Sequence, residues 1–136
     1  MGVGFNVQNS FYSVGAASFL NSFFSTINYH LEPEGWGTKY PYLMNHVYMG
    51  KIGNSLIPEL LKEVREIREQ LQNYSPSQII WDFEDLTKQP PWGKNISPEI
   101  TSLANYFVTS EGEDLFEVLI LALEQAIEYK VDFAIE

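Results

Sequence analysis

The chain has 136 residues, 45% of them hydrophobic and 15% aromatic, which suits one domain with its own core and excludes a disordered, charge-dense tail. Eight Lys and Arg against eighteen Asp and Glu leave a formal charge of −10, a surface that repels the phosphate backbones nucleic-acid binders must neutralise. With no Cys, the chain has no disulfides, thiolate metal sites or thiol nucleophiles, and it fits a reducing compartment.

Val3, Phe5 and Val7 alternate with polar or small residues and predict a strand, turned at Gln8-Asn9-Ser10 into a hairpin partner from Phe11 to Val14. From Ala16 the period changes: Phe19, Leu20, Phe23, Phe24, Ile27 and Leu31 predict one helix with an aromatic face, ending before Pro33. Pro41 opens a short helix that Gly50 stops. A longer one is expected with Ser55 as its cap and Leu60, Leu61, Val64, Ile67 and Leu71 as its buried stripe. Its opposite face carries mixed charges at helical spacing and reads as solvated.

Ile79, Trp81 and Phe83 alternate with Ile80, Asp82 and Glu84 and predict another strand, followed by a loop over Leu86–Ser97. Asn105–Thr109 predicts a further strand. Ser110 and Glu113 form an S-x-x-E capping box for a helix over about Asp114–Tyr129, apolar nearly all round from Leu115 to Leu123 and so expected to be the most buried. Val131, Phe133 and Ile135 predict a last strand. The fold expected is α+β: a small, largely antiparallel sheet of four to five strands packed against about four helices, as one domain over residues 1–136. The longest apolar run, Val118–Leu123, falls far short of the roughly 20 residues a membrane span needs, and Met1–Val7 lacks the basic and apolar regions of a signal peptide. A cytosolic protein without membrane contact is expected.

The two histidines, His30 and His46, make no zinc pattern, and His30 near a helix end suits the helix dipole. Ser25 or Thr26 one turn from His30 lacks the nucleophile elbow and Gly-rich oxyanion loop of a hydrolase. The best catalytic candidates are Asp82 and Glu84: on a strand they share one face about 7 Å apart at Cα, a spacing open to glycoside hydrolysis or a divalent cation. The competing reading makes them solvent-facing acids, or partners of Lys88 or Lys94. Gly35-Trp36-Gly37 and Pro90-Pro91-Trp92-Gly93 place Trp36 and Trp92 in loops, where a tryptophan either plugs the core rim or anchors a partner.

Several blocks carry a resemblance: Ser22–Tyr29 (SFFSTINY) with His30-Leu31-Glu32, Gly35-Trp36-Gly37, Ile80-Trp81-Asp82 with Glu84-Asp85-Leu86, Pro90-Pro91-Trp92-Gly93, and Asn105–Ser110 with Asp114-Leu115-Phe116. Together they resemble the family of bacterial immunity proteins numbered seventy, from polymorphic toxin systems. The resemblance implies an α+β cytosolic antidote without enzymatic activity or cofactor, which binds and blocks a toxin C-terminal domain. An acidic patch of Asp82, Glu84 and Asp85 is then expected to steer a basic toxin, with Trp36 and Trp92 as anchors. The rival is a small hydrolase using Asp82 and Glu84. A third reading is a structural subunit whose aromatic surface is covered by a second copy, and self-association stays open.

Overall fold

In the computed structural model, which describes residues 2–8, 10–93 and 96–136, the two ends of the chain meet at the centre of one sheet. Strand β1 (Gly2–Val7) pairs with β2 (Ser10–Ala16) on one side and with β4 (Phe133–Ile135) on the other; β4 in turn holds the two-residue β3 (Lys51–Ile52). The order is β2-β1-β4-β3, and every pair is antiparallel. The hairpin forms as its alternation predicts, although Asn9 of its turn lies outside the described residues.

Register puts Phe5 opposite Ile135 and Val7 opposite Phe133, with Phe5, Val7 and Phe133 buried on the inner face. A register shift between Val3 and Gly4 skips Val14, which turns into the core and offers its carbonyl to the Ser110 N–H.

Among the described residues two α-helices pack on the sheet, and a third packs against those helices. Helix α1 (Ala17–Leu31) buries Phe19, Leu20, Phe23, Phe24, Ile27 and Leu31, the face its spacing predicts. Helix α2 (Ile57–Leu71) buries the expected leucine and β-branched stripe, with Pro58 in its first turn. Its cap differs from expectation: a 3-10 turn over Asn54–Leu56 leads into the helix, and Ser55 makes no side-chain cap. Between α1 and α2, Tyr42–Val47 forms a π-helical turn. Helix α3 (Leu115–Tyr129) packs on β1 and on α2, which explains why it is apolar on more than one side. That burial has a limit, for Leu121 is 55% exposed.

The α3 cap is also not the one expected. Asp114 accepts from the N–H groups of Phe116 and Glu117, while Ser110 instead meets Ser13 across the β2 edge. Two expected strands are absent. Residues 105–109 contribute only an isolated bridge between Val108 and Asp114, and residues 79–83 run irregularly. The α+β class with a four-stranded antiparallel sheet stands nonetheless. Among the described residues no helix is long and apolar enough to cross a membrane.

Candidate functional site

The segment from Ile79 to Phe83 alternates like a strand but is held by hydroxyls rather than by a sheet. Ser22 and Thr26 donate to the Ile80 carbonyl, Ile80 N–H returns to the Thr26 hydroxyl, and Phe83 N–H donates to Ser25. These three α1 residues are buried, so their hydroxyls satisfy backbone groups that a neighbouring strand would otherwise have taken. Ser25 also donates to Asn21 O, and His30 Nε2 lies 2.7 Å from Gln78 O. Ser25, Thr26 and His30 therefore serve this strap.

The strap sends Trp81 and Phe83 into two different aromatic groups. Trp81 meets Trp92 edge-on with centroids 5.4 Å apart, and Phe83 lies 4.6 Å from Trp36. Between and beyond them the acids form a turn. Asp82 accepts from the Glu84 N–H at 2.9 Å and lies 3.5 Å from Lys88 Nζ, so its carboxylate folds back on its own loop. Asp85 accepts from the Thr87 hydroxyl at 2.6 Å and the Thr87 N–H at 3.1 Å, bonds that hold its carboxyl below the ordinary Asp value. Glu84 and Asp85 are exposed. The one-faced pair of Asp82 and Glu84 that a strand would have presented does not form, because the backbone here turns. The Lys88 pairing does occur; Lys94 lies outside the described residues. Among the described residues no three His, Asp or Glu side chains converge as a metal site requires.

Trp36 is set by the loop after α1. Glu32, 3% exposed, accepts from the N–H groups of Gly37, Lys39 and Tyr40 at 3.0–3.1 Å and winds residues 32–40 around its carboxylate. Gly35 and Gly37 both take positive φ (126° and 75°), so the Gly-Trp-Gly spacing follows from a turn that side chains resist. The Trp36 indole donates to Met44 O at 2.8 Å, and its ring lies 4.7 Å from Tyr48. Trp36, Tyr48, Phe83, Tyr29 and Glu32 line a cleft of about 570 Å³.

Trp92 is held the same way. Its indole donates to the Tyr106 hydroxyl at 2.8 Å, and burial raises that phenol above its ordinary value. With Phe19, Ile96, Ile100, Tyr106 and Val108 it lines a second cleft of about 330 Å³. Both tryptophans thus tie their polar edge inward and leave part of the ring open, Trp92 being 36% exposed. Rim plug and exposed aromatic are one arrangement here.

Asp82, Glu84 and Asp85 share one turn, and through Phe83 and Trp81 that turn reaches Trp36 and Trp92. Sequence reasoning missed Phe83, Tyr48, Tyr29, Tyr106 and Glu32. A buried acid beside Gly-Trp-Gly leaves no periodic signal, and the alternation over residues 79–84 points Phe83 to a strand rather than to a cleft. No curated protein and no solved structure matches the chain. The family model described as Immunity protein 70 matches residues 5–135, from the first core phenylalanine to the last strand, and the chain belongs to that family.

Proposed function

We propose that this protein is a stoichiometric antidote, which binds a toxin domain in the cytosol and blocks it by occupying its surface rather than by catalysis. The family supplies the class of partner. The observation that carries the choice of surface is the 81–85 turn, acidic at its tip and joined by Trp81 and Phe83 to two half-open aromatic clefts. Aromatic faces beside an acidic rim are the composition of an interface that steers by charge and anchors by area. The indole N–H groups of Trp36 and Trp92 are already donated within the chain, so these rings offer a partner apolar and π contact. A net charge of −10 supports a basic toxin domain as the partner, since such a surface attracts cationic proteins and repels nucleic acid.

The test is co-expression with the cognate toxin domain, to be sought among the genes beside this one. Cells should survive when this chain is present, and calorimetry of the purified pair should give one-to-one binding. Death at an unchanged rate would sink the proposal.

A further inference from the structure

We propose that the cleft at the C-terminal end of α1 is a receptor for one cationic side chain of the partner, a guanidinium or an ammonium group. This rests on the reading of the chain as a toxin-binding protein, since the partner carries the cation. The walls are aromatic and tilted against one another: Trp36 meets Tyr48 at 67° and Phe83 at 44°, and Tyr29, 53% exposed, stands at the opening. Rings so inclined form a concave surface, and the negative face of an aromatic ring attracts a cation.

The charge of the lining has one sign. Glu32 contributes to the cleft and is buried, with its oxygens held by three backbone N–H groups. Such bonds satisfy a carboxylate without cancelling its charge. Among the described residues no Lys or Arg forms an ion pair with Glu32 and none lines the cleft; Lys39 lies instead over the Tyr40 ring at 5.5 Å. The end of α1 adds the partial negative charge of a helix C-terminus, and the exposed acids of the 82–85 turn adjoin through Phe83. A cation entering here therefore meets π faces and a fixed negative charge together. The Trp92 cleft makes the contrast, because no charged side chain among the described residues lines it.

The contrast supplies an internal control. The full chain is titrated with N-acetylarginine amide and with its neutral isostere N-acetylcitrulline amide, and the tryptophan indole N–H signals are followed by NMR. The arginine derivative should shift the Trp36 indole saturably and leave the Trp92 indole in place, with citrulline at least about tenfold weaker. Tyr29→Leu, at an exposed position, should keep the rest of the spectrum and weaken arginine binding roughly threefold or more. An equal response to citrulline, or no saturable shift at Trp36, overturns the receptor. If the toxin complex forms while arginine leaves Trp36 untouched, the receptor is wrong and the antidote reading survives. If arginine binds at Trp36 but co-expression gives no protection, the antidote reading falls instead.

Discussion

At the scale of single residues, much of the chemistry sits on two acids, the buried Glu32 and the half-buried Glu63. Glu32 organises residues 37–40 through three N–H bonds. Removing its carboxylate leaves those donors unpaired, so Glu32→Ala should lose about 3 kcal/mol or more in urea unfolding, with Glu32→Gln losing less. The neighbouring Tyr40 is 1% exposed, and its hydroxyl, although close to the Glu66 carboxylate, meets no partner in hydrogen-bonding geometry among the described residues. Burial, and then the Glu66, Glu32 and Glu63 carboxylates, hold its ionisation well above the usual phenol range. Tyr40→Phe should therefore be neutral, or stabilising by about 1 kcal/mol, in the same assay.

Glu63 accepts from the N–H groups of Leu43 and Tyr42, yet burial outweighs those bonds and raises its pKa. Its folded form then binds a proton more readily than the unfolded chain, so its ionisation costs stability as pH rises from the ordinary Glu range through the raised value. Acidification through that window recovers the stability. Relative to wild type, Glu63→Gln should gain stability as pH rises, and urea midpoints measured between pH 4 and 7 check the sign.

At the scale of elements, side-chain hydroxyls and ring contacts replace regular pairing. The α1 hydroxyls hold residues 80–83 without a ladder, so alternation alone misled the strand prediction there. In the hairpin, the Phe11 ring lies over Gly4. A Cβ at Gly4 would stand 2.5 Å from Phe11 Cζ and 2.5 Å from the Tyr12 carbonyl oxygen. The ring can swing away but the backbone cannot. Gly4→Ala should therefore cost about 1–3 kcal/mol, seen as a lowered Tm, and adding Phe11→Ala should not restore it. A Tm unchanged by Gly4→Ala would show that β1 and β2 separate more easily than this register implies.

At the scale of the molecule, the proposed antidote works by potential and shape together. Glu84 and Asp85 are exposed on the acidic turn, whereas Asp82 is engaged by Lys88. Replacing Glu84 and Asp85 by Lys should slow association with the toxin domain severalfold at low salt, with little change in dissociation. The difference should fade as added salt shortens the screening length below about 8 Å. Stopped-flow rates across a salt series measure this, and a salt-independent difference would place the two residues in direct buried contact instead.

The sequence by itself determined the helices, the hairpin and the last strand, because burial there follows a period that one chain can encode: Leu60 to Leu71 in α2 and Phe5 with Val7 in β1 read correctly. It also carried the cluster of acids at 82, 84 and 85, the loop tryptophans and the family likeness, since these are matters of residue identity, whereas the alternation there predicts a strand where the chain turns to hold those acids. Only the tertiary structure decided that residues 79–83 are a strap, that Asp114 rather than Ser110 caps α3, and that Glu32 closes an aromatic cleft. Each depends on a partner distant in sequence or on a choice between two equally plausible local bonds. A polar group takes whichever partner the folded core brings within reach, and local periodicity does not hold that information.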